Sequence, residues 1–300
     1  MKNITILVPK GAILGSIEGP RQLLAQVNQF YKDEGKTPLF NIQLVGLSNE
    51  TQLGGGLFTI HTLLMEDIRK TDLIVIPAFD GDMKNAIELN KDFIPWIIKH
   101  HEKGAEVASL CVGAFLLAST GLLDGRKCAT HWVAANEFRK MFPQVDLVPE
   151  KVITDEGGIY SSGGAYSYLN LILYIIEKYA GRYMAILCSK VFAIELERSS
   201  QSSFSIFSGQ KEHGDAPIKN AQEFIENNFQ EKISVDKLAS MLALGRRNME
   251  RRFKKATSNT VVEYIQRVKV EAAKKSFETS RKNINEVMYD VGYSDNKSFR

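Results

Sequence analysis

The chain of 300 residues is long enough for two domains, each with a hydrophobic core of its own. Its 44% hydrophobic and 24% charged residues are typical of a globular protein, and no apolar run is long enough for a membrane span or a signal peptide. A net charge of only +3 argues against a DNA-packaging protein.

Short apolar segments alternate with amphipathic helices over the first two hundred residues. Strands are predicted in "NITILVP", "NIQLVGL", "DLIVIP" and "AEVASL", and helices around residues 19–34, 84–103 and 112–119. This alternation predicts an α/β fold with a mostly parallel sheet and helices on both faces. Further along, "KVITDEGGIYSS" predicts a hairpin, and a long helical region is expected from Gly164 to Glu197.

The three cysteines, Cys111, Cys128 and Cys188, lie far apart, and none belongs to a Cys-x-x-Cys motif. This spacing argues against a disulfide framework or a zinc site. It fits a reducing cytoplasm, where we expect the protein to act.

The segment "ASLCVGAF", residues 108–115, places Cys111 where an apolar strand turns sharply into a helix. Such a turn is strained and holds its side chain at the carboxyl end of the sheet, where α/β folds bind ligands. Gly113 would allow the close backbone approach that the turn requires. Backbone N–H groups at the helix start would favour a thiolate or an anionic ligand.

The longer segment "LCVGAFLLASTGLLDGRKCATHW" resembles the glutamine amidotransferase-like superfamily, in particular the PfpI-like domains of GlxA-type regulators. The resemblance covers roughly residues 1–208, including "GGAYSYLNLILYIIEKY" and an Arg198–Gln201–Phe204 pattern. It implies a flavodoxin-like sheet with Cys111 at the elbow. Catalytic members usually have histidine directly after the cysteine, whereas this chain has Val112.

Other positions of that resemblance also lack an obvious base for Cys111. Ser16 stands where hydratase relatives often have aspartate, and Glu18 is the nearby carboxylate. Because a cysteine nucleophile needs a base or a strong positive field, we expect binding without turnover, with His131 as a hydrogen-bonded wall. The expected pocket is lined by Ser16, Glu18, Cys111, Val112 and His131, with Cys111 as the only catalytic candidate and with neither metal nor cofactor. A cysteine-dependent hydrolase or hydratase carrying a DNA-binding tail stays open as the alternative.

A Ser- and Gly-rich stretch, residues 199–215, reads as an interdomain connection that Phe204, Ile206 and Phe207 could pin onto the first domain. The expected domains are 1–208 and 217–300, with a linker at 209–216. From Asp215 onward there are 17 basic and 12 acidic residues, against 21 and 23 before it. The positive charge therefore lies on the second domain, as DNA binding requires.

Two helix-turn-helix patterns follow that connection. The first helix begins after Ser234, with its apolar stripe at Val235, Leu238, Ala239 and Leu242. Gly245 ends this run and can serve as the N-cap of a second helix. That helix would bury Met249, Phe253 and Ala256 and expose Arg247, Arg251 and Lys254, a face suited to the major groove.

A long helix from Val261 to Phe277 would join this unit to a second copy. There a short stripe at Ile284, Val287, Met288 and Val291 precedes a turn at Gly292. A last helix begins at Asp295, but six residues are fewer than a recognition helix normally needs. We therefore expect a chain truncated at its C-terminus.

The stretches "LASMLALGRRNMERRFKKATSNTVVEYIQRVKVEAAKKSF" and "INEVMYDVGYSDNKSFR" resemble the AraC/XylS family of transcription regulators. That resemblance places the base-reading positions at Arg247, Glu250 and Arg251, and in the second unit at Asn296, Lys297 and Arg300. Arg246, Lys254 and Lys255 complete the expected DNA-contact set. The chain is thus predicted to be a dimeric, sequence-specific regulator of double-stranded DNA that responds to a small-molecule effector.

Overall fold

The chain divides into two units, Met1–Ser205 and Ile206–Arg300, in a computed structural model that describes residues 1–196, 200–202, 204, 206–207, 209–211 and 213–299. Among these residues, none of the helices has the length and apolar character that crossing a bilayer requires.

The strands of the first unit follow the predicted apolar segments. They are β1 (Lys2–Leu7), β2 (Phe40–Gly46), β3 (Glu50–Leu53), β4 (Phe58–His61), β5 (Leu63–Leu64), β6 (Leu73–Ile76), β7 (Glu106–Leu110), β8 (Lys127–Cys128), β9 (Asp146–Leu147), β10 (Ile153–Asp155) and β11 (Ile159–Ser162). One seven-stranded sheet has the order β10-β11-β7-β6-β1-β2-β5, and every neighbouring pair in it is parallel except β10 and β11. The predicted mostly parallel, flavodoxin-like sheet and the predicted β10–β11 hairpin are confirmed.

Helices cover both faces of this sheet, because its central strands bury side chains on both sides. They are α1 (Leu14–Asp33), α2 (Met83–Leu89), α3 (Phe93–Glu102), α4 (Ala114–Ala118), α5 (Ala135–Met141), α6 (Tyr168–Ala180) and α7 (Arg182–Val191). The buried residues of α1, α6 and α7 share one core cluster, and those of α2 to α5 share the other.

Two predicted helices are interrupted in the structure. The helix expected at 84–103 is the pair α2 and α3, separated at Asn90, whose amide is buried and donates to the carbonyls of Ala86 and Lys10. The region expected to be helical from Gly164 to Glu197 is divided into α6 and α7 at Gly181, where φ is 87°. Both breaks depend on one residue leaving helical geometry, which the periodicity of apolar residues does not reveal.

The second unit consists of helices. They are α8 (Ala216–Asn228), α9 (Val235–Met241), α10 (Arg246–Thr257), α11 (Val261–Thr279), α12 (Ile284–Asp290) and α13 (Asn296–Phe299). One core lies among α8 to α11, and a smaller one lies around Ala273, Val287 and Val291. Capping boxes at Thr260–Glu263 and Asn283–Glu286 fix where α11 and α12 begin.

The segment that leads into α8 packs against the second unit. The ring of Phe207 lies edge-on to Tyr264 at 5.1 Å and so packs on the second unit, whereas the sequence allowed that it could pin the connection onto the first domain. Within the stretch expected to be a linker, Gln210 accepts a hydrogen bond from Gln222 through its carbonyl and one from Asn259 through its side chain. Two buried side-chain amides, Gln222 on α8 and Asn259 in the turn between α10 and α11, thus hold this segment in place.

Candidate functional site

Cys111 lies at the elbow between β7 and α4, as the sequence predicts. Its φ is 55°, a left-handed value that is unusual for a residue with a side chain, and only 6% of the residue is exposed. A Cβ atom on Gly113 would come within 2.6 Å of the carbonyl oxygens of Ile76 and Pro77. The elbow therefore presses closely against the end of β6, and this contact requires a glycine.

The thiol of Cys111 is not activated. Burial raises its pKa to about 11, and the backbone N–H of Val112 offsets this only partly. Among the described residues, no imidazole or carboxylate makes a hydrogen bond with the sulfur. At neutral pH the elbow therefore presents a neutral thiol.

Tyr168, at the start of α6, is close enough to Cys111 for the two to interact electrostatically. Burial first, then Tyr166 and Cys111, raise the pKa of Tyr168 to about 12, and its hydroxyl donates to the carbonyl of Gly15 at 2.7 Å. The Tyr166 ring is stacked beside it with a centroid distance of 6.4 Å. Sequence reasoning missed both tyrosines, because they are more than fifty residues from Cys111 in the chain.

Two of the predicted pocket residues, Ser16 and Glu18, are engaged in hydrogen bonds with other parts of the first unit. The buried Ser16 hydroxyl donates to the carbonyl of Ile13 and accepts from the N–H of Ala78, so it holds the start of α1 to the end of β6. The Glu18 carboxylate forms a bidentate pair with Arg21, and this pair lowers the pKa of Glu18. Ser16 and Glu18 are therefore occupied by structural interactions.

His131 is half-buried, and its Nδ1 accepts from the N–H of Val133 at 3.2 Å. Burial lowers the pKa of this imidazole, so it is neutral at physiological pH. The preceding residue, Thr130, donates its hydroxyl to the carbonyl of Cys111 at 3.1 Å. Thr130 thereby joins the His131 segment to the elbow.

Arg198 of the Arg198–Gln201–Phe204 pattern lies outside the described residues. Gln201 of the same pattern is buried in the first unit. Its side-chain amide donates to the carbonyls of Thr130, Pro149 and Lys151 at 2.7–3.1 Å, and the residue is 1% exposed. A Cβ on Gly163 would overlap this amide. The end of the first unit is therefore anchored to the backbone that leads to His131.

On the second unit, α10 has one buried and one exposed face. Met249, Phe253 and Thr257 are fully buried, and Phe253 lies edge-on to Tyr264 at 5.3 Å. The opposite face exposes the predicted DNA contacts Arg246, Arg247, Glu250, Arg251, Lys254 and Lys255. Among the described residues, Arg247, Lys254 and Lys255 form no ion pair, although Lys254 interacts electrostatically with Glu263 at the start of α11; all three side chains are exposed and can meet phosphates or bases.

Other charges on α10 are engaged within the unit. Arg246 lies 3.0 Å from Asp236 and 3.5 Å from Glu250. Arg252 forms a bidentate pair with Asp215, at 2.7 and 2.9 Å, which ties α10 to the residue before α8. Sequence reasoning missed this pair because 37 positions separate its partners.

In the second helix-turn-helix pattern, the predicted contacts Asn296 and Lys297 are exposed on α13, while Arg300 lies outside the described residues. Asp295 accepts from the backbone N–H and the hydroxyl of Ser298, and so caps this helix. Asn296 and Lys297 lie on a different element from the basic face of α10.

Each of the two units contains a stretch that matches a family of known proteins. Residues 40–178 match the DJ-1/PfpI family, and residues 238–300 match a helix-turn-helix domain. The chain is 25% identical to the HTH-type transcriptional regulator GbdR of Pseudomonas aeruginosa in an alignment of 222 residues that covers 70% of this chain and 58% of that protein. It thus spans less than two thirds of the length of GbdR.

A second relative, the HTH-type transcriptional regulator CdhR of the same organism, is 22% identical over 297 residues, covering 98% of this chain and 85% of that protein. The solved structure of an AraC family transcriptional regulator from Pseudomonas putida covers 64% of this chain and all of that chain, with a TM-score of 0.52 at 16% identity. At 16% identity, this structural likeness supports the fold and nothing beyond the fold.

Proposed function

We propose that this chain, which combines a DJ-1/PfpI-family domain with an AraC-type helix-turn-helix domain, is a sequence-specific DNA-binding transcription regulator whose α/β domain binds a small-molecule effector. The observation that carries the proposal is the two-faced α10. Its apolar side is fixed in the core of the second unit, and its other side presents Arg247, Arg251 and Lys254 to solvent. A helix anchored in this way can enter the major groove and present guanidinium groups to base edges.

The effector site in this proposal is the elbow around Cys111. Supporting it are its position at the carboxyl end of a parallel sheet, the half-buried Val112 that follows it, and the hydrogen bond from Thr130, the neighbour of His131, to its backbone. An effector changes DNA binding only if it prefers one of two arrangements of the protein. We also propose that the protein acts in the cytoplasm as a homodimer. Dimerisation is expected because two DNA-binding domains on paired half-sites bind more tightly than one domain on a single half-site.

Selection from a random duplex library with the full chain tests the DNA-binding part. We expect one enriched motif, and we expect Arg251→Ala to weaken binding to that motif by about 1–3 kcal/mol while relaxing preference at one base pair. Lys255→Ala should weaken all sequences alike and reduce the slope of log affinity against log salt by about 1. Lys99→Ala, which removes the same charge from the first unit, is the matched control; no enriched motif at moderate salt would refute the proposal.

A second candidate function is that of a cysteine-dependent hydrolase or hydratase. The observation that favours it is the left-handed conformation of Cys111, because backbone strain of this kind clusters at active sites. The raised pKa of the thiol opposes it, since a neutral thiol is a poor nucleophile. Turnover of an amide or isonitrile that Cys111→Ser abolishes would establish the enzyme.

A further inference from the structure

A cleft of about 450 Å³ opens on the second unit between α10 and the start of α11. Its volume falls in the range of small-molecule binding sites. All of its lining residues belong to the helix-turn-helix unit: Val235, Glu250, Arg251, Lys254, Lys255, Thr260, Val261 and Val262. It is therefore separate from the elbow around Cys111.

The cleft combines apolar walls with a cationic rim. Val235, Val261 and Val262 supply the apolar surface, and Val262 is 59% exposed. The rim has three cations, Arg251, Lys254 and Lys255, against one carboxylate, Glu250, which already lies 3.5 Å from Arg246. This arrangement complements a molecule with an acidic group on an apolar body.

We propose that this cleft binds an anionic amphiphile, a small molecule with one acidic group on an aromatic or aliphatic body, and that the bound molecule excludes DNA. The exclusion of DNA rests on the proposed DNA-binding function, because Arg251, Lys254 and Lys255 would bind both ligands. Two ligands that need the same cations compete by mass action, so each lowers the apparent affinity of the other. The chain thereby has a second regulatory input that acts directly on the DNA-reading face.

Fluorescence titration of the full chain with anilinonaphthalene sulfonate tests the site in the absence of DNA, and its uncharged parent, phenylnaphthylamine, tests the charge requirement. We expect Val262→Asp to weaken binding of the sulfonate by about tenfold or more, because it places a like charge in the cleft. Val270→Asp is the matched control: Val270 is an exposed valine of the same helix, 52% exposed, outside the cleft. Circular dichroism establishes that both variants are folded, and Val262→Asn replaces Val262→Asp if the latter is not.

A second arm adds the sulfonate to a preformed complex with the selected duplex and follows DNA release by anisotropy. The expected result is release from the wild type and from Val270→Asp, at a concentration that leaves Val262→Asp bound. Equal sulfonate affinity of the two aspartate variants, or equally tight binding of the uncharged parent, would overturn the site. If the chain bound no duplex at all, the proposed function would fail while the first arm still decided the cleft.

Discussion

Cys111 adopts a left-handed backbone conformation, which costs a non-glycine residue about 1–2 kcal/mol. The surrounding structure enforces it: Thr130 holds the carbonyl of Cys111, and Gly113 lies against the end of β6. The strain presents the side chain at the elbow, but burial keeps the thiol protonated. At the level of single residues, Cys111 is therefore better suited to contact a bound ligand than to act as a nucleophile.

Alkylation of Cys111 should be slow at neutral pH and accelerate as pH rises toward about 11. The pKa is raised from 9.0 to about 11, so the reactive thiolate is only about a thousandth of the population at pH 8. Iodoacetamide labelling of the native chain, quantified at each cysteine by peptide mass spectrometry between pH 6 and 10, measures this. A rate at Cys111 that levels off below pH 8 would mean an activated thiolate and would favour the enzyme.

Gly113→Ala should destabilise the first unit by about 2–3 kcal/mol. The added Cβ would lie 2.6 Å from two backbone oxygens, which cannot rotate away as a side chain can. Gly15→Ala is the control, because its Cβ would meet only the Tyr168 hydroxyl, at 3.6 Å. The comparison is made by urea denaturation; equal stability of the two variants would contradict the close approach.

Among the secondary-structure elements, α10 is the helix proposed to contact bases, and its stability depends on the residue that caps its N-terminus. Gly245 is its N-cap, with φ −67° and ψ 140°, and a Cβ there would meet nothing within 4 Å. The left-handed residue of the preceding turn is Ala243, with φ 51°. The turn between the two helices therefore bends at an alanine, while the glycine occupies a conformation that any residue can adopt.

Gly245→Ser should stabilise the second unit by about 0.3 kcal/mol, because a serine hydroxyl can accept from a free N–H in the first turn of α10. Gly245→Ala should lower its stability by about 0.5 kcal/mol, since alanine is a poor N-cap. Urea denaturation followed by helical circular dichroism measures both changes. An alanine variant as stable as the serine variant would show that capping does not limit this helix.

Features that repeat along the chain could be predicted from the sequence, and features that join distant positions could not. Apolar runs and helical periodicity predicted the parallel sheet and the α9–α10 pair, and "ASLCVGAF" predicted the elbow. Tyr168 beside Cys111, the Asp215–Arg252 pair and the amide of Gln201 lie outside such patterns, because each meets partners 37 or more residues away. The pairing of Glu18 with Arg21 is local, yet sequence alone did not decide whether that carboxylate turned inward.

At the scale of the whole molecule, each unit has its own core, since each core cluster formed by the described residues draws its members from one unit. The excess of basic residues is confined to the part of the chain after residue 215. The part proposed to bind DNA therefore has a core of its own, and so does the part proposed to bind an effector.

Thermal unfolding of the full chain should show two transitions, because each unit has a core of its own. Gly113→Ala should lower the midpoint of the transition of the first unit and leave that of the second unit unchanged. Gly245→Ser should raise only the midpoint of the second unit. Differential scanning calorimetry measures both midpoints. A single transition that both substitutions shift would show that the units unfold together.

The burial of Gln201 also dictates where the two halves can be severed for separate study. A fragment that stops before residue 200 would leave the carbonyls of Thr130, Pro149 and Lys151 without their shared donor and open a hole beside Gly163. Such a fragment would present a damaged elbow to any screen for bound metabolites. A fragment that ends after Phe204 retains the Gln201 amide. A failure of that fragment to bind any metabolite would therefore be a property of the first unit and not a result of the truncation.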